Sequence, residues 1–250
     1  MVMASAACAT AALSLQQNSS AEMISFSSAT PKVHLMYFKV QGVAETIRHV
    51  MALGKIEWTE SDWSVDFKKI DFKDVQRTLP LASPEFGAAK EAGELDLNLQ
   101  RAPIAIVDGI AIASSKTIER YLAKRLGVMG SDDLEAVHID CITEHVRDIK
   151  DKYQKAKADP KEKADFFESV MPGFMQKLET AVVKMSPGSG PALVGSSLSY
   201  ADVTLLVFIK DFFDDKASAV ASISKCPRLQ ASVEAAEKHP GIAKHRAGRK

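Results

Sequence analysis

Few side chains in this chain are placed to do chemistry. Tyr37 ends the first apolar run, Val33-His34-Leu35-Met36-Tyr37-Phe38, and faces the loop that leads into the next helical pattern. Taken alone, a tyrosine ending a strand packs its ring and leaves its hydroxyl at the surface. His138, Cys141 and His145 lie near one another on one helical face. Cys141 belongs to an apolar stripe, however, and no Asp or Glu completes a set at ligand spacing, so a core cysteine flanked by histidines is the reading and no metal is expected. HExxH is absent, as is the G-x-S-x-G of a hydrolase elbow. Gly188, Gly190 and Gly195 lack the Lys-Ser/Thr ending of a phosphate loop. The 3 cysteines, Cys8, Cys141 and Cys226, are far apart and form no CxxC, which implies neither a disulfide framework nor a dithiol site and fits a reduced compartment.

The elements that must position Tyr37 can be read from periodicity. Gly42 breaks the first strand; Ala44, Ile47, Val50 and Met51 follow at helical spacing, and Gly54 stands where a helix end favours a left-handed residue. Residues 56–63 alternate as a second strand. From 64 to 99 the chain is polar and punctuated by Pro80, Pro84, Gly87 and Gly93, which predicts loops with short helices, one around 84–92. Residues 103–107 form a strand, Asp108-Gly109 a hairpin turn and 110–112 the return strand. Ser114 and Ser115 offer capping hydroxyls to a helix whose apolar face is Ile118, Tyr121, Leu122 and Leu126, ended by Gly127.

Beyond Gly130 only helical patterns occur. Leu134, Val137, Cys141, His145, Ile149 and Tyr153 mark one long helix, and 166–183 a second, bent at Pro172. Ser199-Tyr200-Ala201-Asp202 is a capping box before 203–213, which is apolar nearly all round and so belongs in the middle of a bundle. Leu229, Val233 and Ala236 mark a closing helix. The basic tail, Lys244, His245, Arg246, Arg249 and Lys250, reads as solvated and partly frayed.

Composition narrows the partners. The 250 residues are 46% hydrophobic and 26% charged, ordinary for a globular chain. Lys+Arg and Asp+Glu both number 32, so no basic surplus points to nucleic acid. No stretch is long and apolar enough to span a bilayer. Residues 1–30 are rich in Ala and Ser and poor in charge, and read as a leader outside the fold, either disordered or targeting. The expected compartment is the cytoplasm, or an organelle such as a plastid if the leader is a targeting segment.

Several motifs in order resemble the cytosolic glutathione transferases: Leu35-Met36-Tyr37-Phe38, then Gly42-Val43-Ala44-Glu45 with Ile47-Arg48, Ile118 with Arg120-Tyr121-Leu122-Ala123, Leu198-Ser199-Tyr200-Ala201-Asp202, and His239-Pro240-Gly241-Ile242-Ala243. The first segments look like the sigma class, which includes glutathione-dependent prostaglandin D synthases. The resemblance covers about residues 32 to 246. It implies an α/β thioredoxin-like N-terminal domain over 31–127 and an all-α helical-bundle C-terminal domain over 131–250. It makes glutathione the co-substrate and Tyr37 the hydroxyl that hydrogen-bonds and favours its thiolate. Phe38, Trp63, Lys68, Arg101, Ala102, Pro103, Ser114 and Ser115 fall at glutathione-binding positions: Trp63 and Lys68 toward the glycine end, Ala102-Pro103 as a cis-proline step presenting backbone to the cysteinyl part, and Ser115 at a helix N-terminus for the γ-glutamyl carboxylate. Asp140 matches an acidic residue that reaches the γ-glutamyl amine from the neighbouring subunit, which implies a homodimer. Phe38 and the helix carrying Tyr153 would border the pocket for a small hydrophobic electrophile.

The sequence departs from the family pattern in places. Val43 stands where an arginine often follows this glycine, Ser114 and Arg101 stand where glutamine is common, Lys68 is one place off the usual spacing, and 68–100 is longer than usual. The function implied is conjugation of glutathione to electrophiles. Glutathione-dependent isomerisation of the prostaglandin D synthase kind, and a non-catalytic glutathione-binding or scaffold role, are the alternatives.

Overall fold

A computed structural model of the chain describes residues 29–249, apart from positions 62 and 189; all but the last two residues of the expected leader lie outside the described residues. The first half is built on β1 (Val33–Met36), α1 (Glu45–Leu53), β2 (Trp58–Glu60), α2 (Val75–Ala82), α3 (Pro84–Glu91), β3 (Ile104–Val107), β4 (Ile110–Ala113) and α4 (Ser115–Arg125). The sheet order is β2-β1-β3-β4, with β1 and β2 parallel and the other pairs antiparallel. A β-α-β unit joined to a hairpin and a helix is the thioredoxin-like arrangement expected.

Local chemistry explains most of these boundaries. Asp108 and Gly109 both have positive φ, 50° and 85°, as a two-residue hairpin turn requires. The second strand is shorter than its alternation suggested: β2 has three residues, and Trp63 rejoins the sheet only through an isolated bridge to Phe38. Gly54 does not take the left-handed position that ends α1. Its φ is −73°, and Lys55 next to it has φ 56°. Gly54 is small for another reason: a Cβ there would lie 2.8 Å from a Leu126 methyl carbon. Ser114 and Ser115 do not cap α4 through their hydroxyls; Ser114 sits at the N-cap with φ 68° and makes no side-chain cap bond.

The second half is helical: α5 (Asp133–Ala156), α6 (Pro160–Asp165), a π-helical turn (Phe166–Val170), α7 (Met171–Met185), α8 (Tyr200–Lys210), α9 (Lys216–Ala221), α10 (Pro227–Lys238) and α11 (Pro240–Ala247). The bend expected at Pro172 is made by the π turn just before it, with Pro172 in the first turn of α7. α8 lies at the centre, packed against α1, α5 and α10. Its capping box is complete: Asp202, fully buried, accepts from Ser199 N (2.8 Å), Ser199 Oγ (2.8 Å), Leu193 N (2.8 Å) and Ser232 Oγ (2.7 Å). One carboxylate thus ties the start of α8 to the preceding loop and to α10.

The face of α5 and the state of the tail also differ from the sequence expectation. The buried stripe of α5 is Ile139, Ile142, Val146, Ile149 and Tyr153, while Leu134 and Val137 face outward, 65% and 63% exposed. The basic tail is not frayed over its described residues. Arg249 bridges Glu45 (2.7 Å) and Asp211 (3.0 Å), Arg246 bridges Asp211 (2.7 Å), and His245 meets Glu45 (3.0 Å). α11 can lie this close to α1 because of Gly241, whose absent Cβ would fall 2.0 Å from the Ala52 carbonyl oxygen.

Burial alone would raise the Glu45 pKa, but hydrogen bonds with His245 and His49 and the charge of Arg249 outweigh it and hold this carboxyl well below the usual carboxylate range. A depressed folded-state pKa contributes stability that is present above the unfolded value near 4.5 and is lost as pH falls toward the folded one. Glu45→Gln is therefore expected to cost about 3 kcal/mol at neutral pH, with the gap to wild type closing as pH drops below about 4. Denaturant unfolding across that range checks this, and a pH-independent gap would contradict it.

Candidate active site

Tyr37 lies just beyond β1, where the chain turns into the Gly42–Ala44 3-10 turn that opens α1. Its hydroxyl oxygen accepts a hydrogen bond from Val43 N–H at 3.2 Å, which leaves the phenolic proton available to a further acceptor. The approach of the loop is close because Gly42 has φ 47° and no side chain; a Cβ there would sit 2.4 Å from the Tyr37 hydroxyl. Burial pushes the Tyr37 pKa above its ordinary value, against the Val43 N–H bond and the charge of Arg48, which lower it. The phenol therefore stays protonated at neutral pH and can serve as a donor rather than a base.

The loop is fixed by a residue to which sequence reading assigned no role. Arg48, 7% exposed on α1, donates to the carbonyls of Phe38 (3.2 Å), Val40 (2.7 Å) and Gln41 (3.3 Å). It also pairs with Glu60 on β2 through Nε (2.9 Å) and Nη2 (2.7 Å), and its guanidinium carbon lies 5.8 Å from the Tyr37 ring centre. Its position three residues after Glu45 was visible in the sequence, but the partners lie across the fold.

A cavity of about 550 Å³ opens beside Tyr37. Gln41, Gly42, Val43, Glu45 and Thr46 form one wall, and Ser115 and Lys116 at the start of α4 a second. Arg147, Lys150, Asp151 and Gln154 of α5 form a third, closed by Val207, Asp211 and Phe212 around the end of α8. Tyr37 and Ser115 thus share one space. The helix carrying Tyr153 borders it as expected, though Tyr153 itself is buried against Phe166, Phe212 and Phe213.

The other sequence-derived positions fall elsewhere. The rings of Phe38 and Trp63 are in the core, packed on one another (5.6 Å) and on Phe86, so Phe38 does not wall the cavity. Lys68 is exposed on the Phe67–Lys69 3-10 turn, and Arg101 is exposed beside Asn98, whose carbonyl it approaches at 3.4 Å. The Ala102–Pro103 peptide is cis, and no hydrogen bond engages the Ala102 N–H or C=O among the described residues. Ser114 is exposed next to Ser115. Asp140 accepts from Arg120 Nε at 2.6 Å and lines a separate cleft with Met129 and Val137.

Histidines meet other potential ligand side chains in two places. Cys141 and His145 are 3.4 Å apart with no third ligand among the described residues. Glu45, His49 and His245 bring ligand atoms within 4.8 Å of one another. The Arg249 guanidinium, 2.7 Å from both Glu45 Oε1 and His49 Nε2, already supplies the cation there.

Gly42→Ala is expected to cost about 1–2 kcal/mol for a left-handed non-glycine residue and to shift the Tyr37 phenol titration. Unfolding curves, with the wild-type minus Tyr37→Phe difference spectrum, measure both. Unchanged stability and titration would contradict the close approach.

A family model described as "Glutathione S-transferase, C-terminal domain" matches residues 139–249. Human hematopoietic prostaglandin D synthase is 27% identical over 221 residues, covering 84% of this chain and 98% of that protein. Glutathione S-transferase P 1 of Xenopus laevis is 27% identical over 216 residues, covering 86% and 92%. Among solved structures, the Pi-class glutathione S-transferase of Onchocerca volvulus shares the fold with a TM-score of 0.68 at 22% identity, covering 87% of this chain and 93% of that one. Prostaglandin synthase D of Nilaparvata lugens does so with a TM-score of 0.64 at 19% identity, covering 88% and 99%. The chain thus carries a glutathione S-transferase C-terminal domain over residues 139–249 and resembles glutathione S-transferases in sequence along most of its length and in fold.

Proposed function

We propose that this chain is a glutathione transferase that conjugates the glutathione thiolate to small electrophiles, with Tyr37 as the donor to sulfur. The observation that carries this reading is the Tyr37 hydroxyl: it accepts from Val43 N–H, keeps its own proton, and shares a cavity with the N-terminus of α4. A free thiol ionises near pH 8.5, so little thiolate is present at neutral pH. Each unit of lowering requires about 1.4 kcal/mol, and a hydrogen bond to a charged acceptor contributes roughly 1.5–3 kcal/mol. One phenolic bond is thus sufficient for one to two units.

The remaining assignments belong to the same proposal. Ser115 and the first amides of α4 would receive the γ-glutamyl carboxylate, where the helix dipole favours negative charge. The unpaired backbone of Ala102, ahead of cis-Pro103, suits pairing with the cysteinyl part. Trp63 and Lys68 would act at the glycine end, and Arg101 at a further glutathione-binding position. Asp140 would reach the ligand of a second subunit in a homodimer, and the outward Leu134 and Val137 beside it give that contact an apolar face. Sedimentation at micromolar concentration should show a dimer; a monomer would remove Asp140 from the site.

The similarity to human hematopoietic prostaglandin D synthase favours a second reading, in which the same thiolate isomerises an endoperoxide. Both are tested with one pair of proteins. Tyr37→Phe is expected to lower kcat/KM about ten- to a hundredfold with a chloronitrobenzene acceptor, while glutathione affinity changes little. Turnover unchanged by the substitution, or glutathione binding without turnover in the wild type, would overturn the main reading. Turnover of a prostaglandin endoperoxide alone would establish the second.

A further inference from the structure

The far wall of the Tyr37 cavity carries an unusual cation. Of the charged side chains that border it, most are already paired within the chain. Glu45 is bound by Arg249 (2.7 Å), His245 (3.0 Å) and Arg48 (3.2 Å), and Asp211 by Arg246 (2.7 Å) and Arg249 (3.0 Å). Lys116 pairs with Glu119 at 2.7 Å, and Arg147 pairs with Glu144. Glu119 also accepts the Tyr200 hydroxyl. Asp151 is exposed on α5.

Lys150 differs from all of these. It is half-buried, and no carboxylate lies within ion-pair distance of it among the described residues. Its ammonium rests over the faces of Phe212 (5.0 Å) and Phe208 (5.8 Å). Aromatic faces compensate a desolvated ammonium only in part. Burial, with repulsion from Lys116, pushes its pKa down to about 8. The groups around it are Lys116 and Glu119 on α4, Arg147 and Asp151 on α5, and Asp211 beside Phe212, and apart from Asp151 each carboxylate has another cation. A ligand anion would complete the one cation bordering this cavity that has no ion pair among the described residues, and Val207 and Phe212 give the same ligand an apolar wall.

We propose that Lys150 makes the acceptor end of the cavity a site for amphipathic electrophiles that carry a carboxylate, with the apolar body against Val207 and Phe212 and the acid on the Lys150 ammonium. This rests on the glutathione reading above for the reacting end, whereas acid recognition itself does not need turnover.

The test uses 4-chloro-3-nitrobenzoate and its methyl ester, which share a reacting carbon and differ in charge. Lys150→Met is expected to lower kcat/KM for the acid on the order of tenfold and to leave the ester within about twofold, while Lys150→Arg retains the preference. Binding of the unreactive 4-nitrobenzoate, followed by equilibrium dialysis, should weaken in Lys150→Met. In the wild type it should weaken as pH rises through about 8, where Lys150 loses its proton. Equal losses for acid and ester, or acid binding unchanged in Lys150→Met, would overturn the proposal. If 4-nitrobenzoate binding depends on Lys150 but no glutathione conjugate forms, the acid site stands and the transferase reading falls.

Discussion

The buried guanidinium of Arg48 is the constraint on which the site depends. A charge this far from water must be fully engaged or it destabilises the fold. Arg48 meets that demand by reaching Glu60 on β2, Glu45 on its own helix, and the carbonyls of Phe38, Val40 and Gln41. The carbonyls belong to the segment between β1 and α1, so satisfying the charge also fixes that segment. Gly42 can then pass within contact of the Tyr37 hydroxyl, and Val43 N–H can bond to it. The loss of an arginine at position 43, relative to the family pattern, leaves the site with a cation nearby all the same, since Arg48 lies 5.8 Å from the Tyr37 ring centre.

The same helix joins the site to the end of the chain. Glu45 opens α1, where a carboxylate complements the helix dipole, and it holds Arg249 and His245 from the C-terminal segment. Asp211, just past α8, takes Arg246 and Arg249. Both carboxylates border the Tyr37 cavity, and both are turned to the tail. The tail's cations therefore offset two of the cavity's carboxylates, and the unpaired ammonium of half-buried Lys150 is felt by whatever enters it.

What the sequence disclosed depended on the range of the interactions involved. Features closed within a few residues were legible: the Asp108-Gly109 turn, the Ser199–Asp202 capping box and the all-round apolarity of α8 follow from local geometry. Order and type of elements followed as well, because each strand and helix carries its own period. The α5 face is not legible this way, because steps of four residues drift about 40° per step on a helix of 3.6 residues per turn. A stripe from Leu134 to Tyr153 by such steps begins on the outside and ends in the core. The role of Gly54 is not legible locally, because its smallness serves Leu126, far away in sequence. The tail's order is hidden for a related reason: clustered basic residues signal solvent only when their acidic partners are absent, and Glu45 and Asp211 are distant along the chain. Around the cavity, Tyr37 and Ser115 follow from the family motifs, whereas Arg48 and Lys150 depend on partners from other elements, Glu60 for the one and Phe208 and Phe212 for the other.

The central claim is that the Tyr37 hydroxyl stabilises a bound thiolate. The most direct measurement is the ultraviolet absorption of the glutathione thiolate in the binary complex, titrated with pH for wild type and Tyr37→Phe. The account predicts that thiolate appears in the wild-type complex one to two units below the ordinary thiol value of about 8.5 and returns close to that value in the variant. Identical titrations in the two proteins would contradict it.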